Sequence, residues 1–304
     1  MVSNETINVF RVYDSFLLMI HQSPDGDAVA SALALGLALK EIGKTVDMVC
    51  VDPVPYQFRF LSGASLIRSD FFLGDYDVIV TLDCGDTKRT GFSPRLKELV
   101  RQKELVLVNI DHHPKNDLHG LATHNLIDFT APSTSYLVAE LIRGLHIRIS
   151  HKIATCLLTG LYTDTGGFKH SNTTAKTLHF AATLLGHGAR LKDITRHISQ
   201  ATSVARLRLW GIALSRVQQH HDFNLVSTVI GADDITRVNA NDDDIAGIAA
   251  LLATIPADVA ALVVVQDGQT QVRMRTKNKQ IDLERLAVYL GGGGRRMSAG
   301  FTVI

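Results

Sequence analysis

Cysteine is scarce. The 304 residues contain three, Cys50, Cys84 and Cys156, and no two of them form a Cys-x-x-Cys pair. An odd count without paired spacing argues against a disulfide framework or a zinc ribbon and fits a reducing cytoplasm. Small buried hydrophobes are the ordinary role left to them. An excess of one charge is also missing. Lys and Arg number 31 against 30 Asp and Glu, a net charge of +1, so no global field directs the chain to long duplex DNA or to a membrane. Long apolar runs are absent too. The longest, residues 28–39, falls short of the roughly 20 residues a bilayer demands, and a later stretch, 245–265, is interrupted by Pro256 and Asp258. The opening "MVSNETINVFRVYD" has no basic-then-apolar signal pattern. Neither repeats nor low-complexity segments occur. These absences predict a cytoplasmic globular protein.

What is present suits that class: 46% hydrophobic and 20% charged residues. The length predicts two domains. "FLLMIH" (16–21), "VDMVCV" (46–51), "YDVIVTLD" (76–83) and "ELVLVNIDHH" (104–113) read as strands, with a helix over 28–42. The strands are apolar throughout rather than alternating, which predicts an α/β fold with a mainly parallel sheet covered on both faces. From 133 to 220 the pattern is almost wholly helical, and from 223 strands return: "NLVSTVI", "DVAALVVVQ", "QVRMRT" and the glycine-rich end, with helices near 242–255 and 281–290. The expected division is a larger N-terminal domain (1–190), a helical linker (191–222) and a smaller α/β C-terminal domain (223–304).

Polar residues gather where the predicted strands end. His21, Asp25 and Asp27 follow the first, Asp83 ends the "YDVIVTLD" strand, and Asp111, His112 and His113 end the "LVLVNIDHH" strand. Singly, such an Asp is usually a turn former or helix N-cap, and such a His pair is usually surface. Jointly they lie where open α/β sheets bind ligands. Asp164, in "TDTGGF", can reach the same crevice. Carboxylates mixed with imidazoles suit manganese, iron, cobalt or zinc more than calcium. Four carboxylates and two histidines suffice for two divalent ions, and two ions explain how Asp25 and Asp27 tolerate each other across Gly26, which lets the chain turn.

"SPDGDA", "LDCGD", "DHH" and "TDTGGF", in that order, resemble the four motifs of the DHH phosphoesterase superfamily, and the C-terminal part resembles the DHH-associated domain of its NrnA-like members. The resemblance implies that His21, Asp25 and Asp83 hold one metal, and Asp27, Asp83, His112 and Asp164 a second, with Mn2+ expected ahead of Mg2+, Co2+ or Fe2+. Asp111 would orient a ligand histidine, and His113 would face the substrate phosphate. A metal-bridged hydroxide would attack phosphorus in line. The active site would lie in a cleft between the domains.

The segment 271–304 carries seven basic residues against two acidic ones. By resemblance Arg275 binds substrate. Gly292, Gly293 and Gly294 are expected to let backbone approach an anion. Arg295 departs from the family pattern, which has a histidine there; arginine can bind phosphate but cannot donate a proton near neutrality. His170 and Asn172 are candidate cleft residues, and Phe168, Tyr162 and Tyr136 candidate base platforms. The implied substrates are short nucleotides: nanoRNA and dinucleotides such as pApA, or the 3′-phosphate of pAp. The competing readings are a cyclic di-AMP phosphodiesterase, an inorganic pyrophosphatase and a non-catalytic nucleotide-binding protein. A homodimer is left open.

Overall fold

The computed structural model describes residues 2–72, 76–102, 105–113, 117–199, 203–266 and 268–303. The chain divides into two units, Met1–Ala201 and Thr202–Ile304. In chain order the first comprises α1 (Asn4–Val12), β1 (Ser15–Ile20), α2 (Gly26–Glu41), β2 (Thr45–Val49), β3 (Ile67–Arg68), β4 (Val78–Leu82), α3 (Ser93–Gln102), β5 (Val106–Asp111), α4 (Asp117–Leu121), β6 (His124–Ile127), α5 (Thr134–Gly144), α6 (His151–Asp164), α7 (Ala175–Gly186) and α8 (Leu191–Ser199). The second comprises α9 (Val204–Ser215), β7 (Gln218–His220), β8 (Leu225–Gly231), α10 (Ala232–Val238), α11 (Asp242–Ile245), α12 (Ile248–Leu252), β9 (Val259–Gln266), β10 (Gln269–Thr276), α13 (Leu283–Tyr289), β11 (Gly293–Arg295) and β12 (Ser298–Val303).

The apolar runs form a six-stranded sheet ordered β3-β2-β1-β4-β5-β6, parallel at every pairing. Phe16 to Ile20 have no solvent exposure, because side chains of alternate direction both find a core. Phe16, Leu18 and Ile20 pack with α2, α5 and α6, while Leu17 and Met19 pack on the opposite face with Leu96 of α3 and Leu118 of α4. The run 28–39 is apolar all round because α2 is buried all round. Among the described residues no helix is long and apolar enough to cross a membrane, and all three cysteines are buried and unpaired. From β1 the chain moves outward to β2 and β3, then returns to β4 on the other side. This reversal opens a crevice at the carboxyl ends of β1 and β4.

The second unit has a mixed sheet ordered β11-β12-β10-β9-β8-β7, with β8 and β9 its parallel pair. The segment 191–222 is shared between units: α8 belongs to the first, whereas Leu209 and Ala213 of α9 enter the core of the second. Gln218–His220, within the stretch that reads as helical, is an edge strand on β8. The helix expected near 242–255 is broken at Gly247, whose φ of +94° suits glycine and where a Cβ would press on the Trp210 ring.

Candidate metal centre

His21 follows β1 directly and is 2% exposed. Its Nδ1 hydrogen-bonds the Gln22 carbonyl at 2.7 Å, which fixes the ring and leaves Nε2 buried without a hydrogen-bond partner. That nitrogen lies 3.8 Å from Asp25 Oδ1 and 4.0 Å from Asp83 Oδ2. Asp25 is the N-cap of α2 and accepts from the Asp27 and Ala28 N–H groups at 3.0 and 3.1 Å. Asp27, one residue into the helix, is fully enclosed. It accepts the N–H groups of Thr134 and Ser135, at 2.6 and 3.0 Å, from the first turn of α5. The positive end of that helix therefore meets a buried carboxylate. Gly26 is helical rather than a turn residue. A Cβ there would overlap Thr163 of α6, so its role is close helix approach, which corrects the expectation from sequence.

Asp83 lies past β4 with φ +60°, a left-handed conformation that Asp tolerates better than most residues. Its Oδ1 accepts from Thr134 Oγ1 at 3.0 Å and lies 3.6 Å from His112 Nε2 and 3.4 Å from His113 Nδ1. His112 Nδ1 faces the Ala131 carbonyl at 3.3 Å, so Nε2 points to Asp83 and to Asp164 Oδ2, 3.7 Å away. Asp111 accepts from His113 Nδ1 at 2.8 Å and from the Gly85 N–H at 2.7 Å. Asp111 thus orients His113, whereas the His112 ring is set by a carbonyl. Two donor groups, His21 with Asp25 and Asp83, and Asp83 with His112 and His113, each bring their ligand atoms within 4.8 Å of one another. Asp83 belongs to both.

The electrostatics call for added positive charge. Burial, then the charges of Asp83, Asp164 and Asp25, push Asp27 well above the ordinary carboxylate range. Burial, with Asp83 and Asp25, also raises Asp164 against the opposing pull of His112. Asp25 sits at the rim with its side chain 60% exposed. There the raising effect of partial desolvation is outweighed by His21 and by the helix N–H groups, and the carboxyl is held at about 2. Burial opposes the charged form of His113, but Asp111 and Asp83 more than offset it and push the imidazole up to about 10. An unpartnered buried imidazole nitrogen amid four crowded carboxylates is a donor set that fits divalent cations.

His170 reaches this region: its Nδ1 faces the Asp164 carbonyl at 3.1 Å. Asn172 donates to the Pro132 carbonyl at 3.1 Å and lies 3.5 Å from Asp164 Oδ2. The candidate base platforms are engaged with each other and the core, Tyr136 edge-on to Phe180 and Tyr162 edge-on to Phe168. In the second unit Arg275 on β10 pairs with Ser298 on β12, which pairs with Arg295 on β11. The two arginines therefore share one face and one register row, two strands or roughly 10 Å apart. Both are exposed. Cβ atoms at Gly292 and Gly294 would overlap the backbone of β12, whereas Gly293 faces open space; hairpin packing accounts for the first two. Thr134, Ser135 and Gly160 escape the sequence reading. A Cβ at Gly160 would overlap Ser135 Oγ and Asp27 Oδ1. The "PSTS" run signals a helix N-cap, and only the fold shows which carboxylate that cap receives.

Comparison with known proteins gives consistent matches. Residues 15–161 match the DHH family, N-terminal domain, and residues 224–304 match the DHHA1 domain. The bifunctional oligoribonuclease and PAP phosphatase NrnA of Thermus thermophilus is 32% identical over 285 residues, covering 93% of this chain and 82% of that protein. The Bacillus subtilis protein of the same name is 24% identical, covering 99% and 93%. Among solved structures, an exopolyphosphatase-related protein from Bacteroides fragilis superposes with a TM-score of 0.89 at 26% identity, covering 98% of this chain and 89% of that one. Exonuclease RecJ bound to manganese, at 13% identity and a TM-score of 0.55, covering 99% and 89%, shares the fold.

Proposed function

The chain belongs to the DHH family as an NrnA-like member, a metal-dependent phosphoesterase of short nucleotides, and from that membership we propose a substrate set of pApA-like dinucleotides, nanoRNA and the 3′-phosphate of pAp. We assign His21, Asp25 and Asp83 to one cation and Asp27, Asp83, His112 and Asp164 to a second, with manganese the expected metal. The observation that carries this reading is Asp83, whose two carboxylate oxygens face different histidines, His21 through Oδ2 and His112 through Oδ1. Bound divalent ions would supply a water activated at neutral pH and offset charge on the phosphoryl oxygens. His113, tethered by Asp111, presents a charged imidazole to a phosphoryl oxygen or to the leaving oxygen. A cation on Asp83 would weaken one of the two carboxylates that raise His113 and would bring the imidazole closer to the range where proton donation is efficient. Arg275 and Arg295 supply fixed positive charge for a second phosphate. Arginine at 295 makes this a pH-independent electrostatic contact, which favours substrate anchoring as the role of that position.

The test is hydrolysis of bis-p-nitrophenyl phosphate with and without Mn2+, followed by pApA, pAp, cyclic di-AMP and pyrophosphate side by side. Metal-dependent turnover with pApA or pAp preferred supports the proposal. Preference for pyrophosphate, or no turnover of any of them with metal present, overturns it.

A further inference from the structure

A second polar cavity lies at the opposite end of α6 from the metal centre. It has a volume of 320 Å³ and is walled by the 60–62 loop, the first turn of α6 and α8. Asp164 ends α6 and Lys152 belongs to its first turn, so the two sites stand roughly 20 Å apart along one helix. Three of the wall residues are permanent cations, Lys152, Arg190 and Arg196, against one acid, Asp193. Asp193 is shared: Arg196 Nη2 is 3.0 Å from Oδ1 and Arg190 Nη1 is 3.9 Å from Oδ2. Lys152 has no ion-pair partner among the described residues. The Arg190 backbone is pinned by its N–H to Thr155 Oγ1 at 3.2 Å. His197 is stacked on Phe60 at 4.3 Å between ring centroids and 8° between planes, and its Nδ1 is engaged by the Asp193 carbonyl at 2.9 Å. Its ring is thereby fixed as part of the wall.

We propose that this cavity is a second, non-catalytic site for a small phosphate-bearing anion. Its volume is at the low end of pockets that hold small molecules. Its surplus of two positive charges matches the roughly −1.5 to −2 of a phosphate monoester at pH 7. Guanidinium forks, one of them only loosely paired, match phosphate oxygens in geometry as well as charge. The ligand's source is either free phosphate or a nucleoside monophosphate, and the experiment separates the two.

The full-length protein is titrated calorimetrically with inorganic phosphate, AMP and adenosine, with chelator present so that metal ions do not recruit phosphate to the acidic cluster. Saturable binding of phosphate and AMP, with adenosine silent, is expected. A Lys152→Ala/Arg190→Ala double variant should bind at least tenfold more weakly, and a Lys152→Arg/Arg190→Lys pair should restore binding. All titrations are made in an Arg275→Ala/Arg295→Ala background, so that phosphate held by those two arginines is not counted. Equal affinities identify free phosphate as the occupant; AMP binding tenfold tighter than phosphate identifies a nucleotide. Absence of saturable phosphate and AMP binding, or undiminished affinity on adding Lys152→Ala/Arg190→Ala, overturns the proposal. Lys152 and Arg190 are exposed, so their loss does not endanger folding, and the charge-reversed Lys152→Glu variant must weaken binding by itself.

Discussion

Asp83 is an aspartate in a left-handed backbone conformation, and asparagine is among the few residues that share that tolerance. Asp83→Asn should therefore keep the fold while abolishing metal-dependent turnover. Unchanged circular dichroism with lost hydrolysis is the expected result, and turnover near the wild-type rate would remove Asp83 from the site. Thr134 acts through Asp83, to which it donates a hydroxyl, and through Asp27, which accepts its N–H. Thr134→Val keeps the N–H and the shape but loses the hydroxyl. It should weaken metal affinity or rate by roughly 10–100-fold, with Thr134→Ser restoring most of it. Metal titration followed by rate measurement separates the two effects. The acids and histidines themselves were legible in the sequence, because carboxylates and imidazoles at successive strand ends have few other joint explanations. Thr134 was not: a threonine after a cap serine looks like any helix start until α5 is seen to point at Asp27.

Where α2, α5 and α6 meet, glycine on one helix makes room for a side chain of another, Gly26 for Thr163 and Gly160 for Ser135 and Asp27. Gly160→Ala would drive a methyl group into Ser135 and the Asp27 carboxylate. The expected cost is roughly 1–3 kcal/mol of stability together with lost activity, read by urea unfolding and turnover on the same variant. In the second unit Asp234 joins α10 to the end of α9. Its carboxylate takes both guanidinium nitrogens of Arg216 and the Gly231 N–H, and the Arg216 contact first of all holds its pKa below the usual aspartate value. A carboxyl depressed in the folded state stabilises above its unfolded pKa of about 3.9 and loses that contribution as pH falls through the folded value. Because Arg216 is 45% exposed, solvent screens the pair and its contribution is small. Wild type should be more stable than Asp234→Asn at pH 7, and the gap should narrow as pH falls below the ordinary aspartate pKa of about 3.9; a gap constant with pH would contradict the assignment. Strand positions were legible from apolar runs bounded by turns. The break at Gly247 and the edge strand 218–220 were not, because a ring from another helix fixes the first and pairing with β8 fixes the second.

Two sheets of different construction, each with its own core, predict two thermal transitions. Among the described residues the candidate metal ligands all belong to the first unit, so manganese should raise only one of them. Ligand at a hundred times its dissociation constant adds about 2.7 kcal/mol to the unit that binds it. Scanning calorimetry in Mn2+ and in chelator should show one transition moving and the other still; a single transition that moves as a whole would mean the units unfold as one. Two of the acids that would grip cations are already fastened by main-chain N–H groups, Asp25 by the start of α2 and Asp27 by the start of α5. Removing the cations would therefore not release the side chains, and returning them would require no refolding. Such a site would act as a socket, ready to take up an ion without rebuilding its walls.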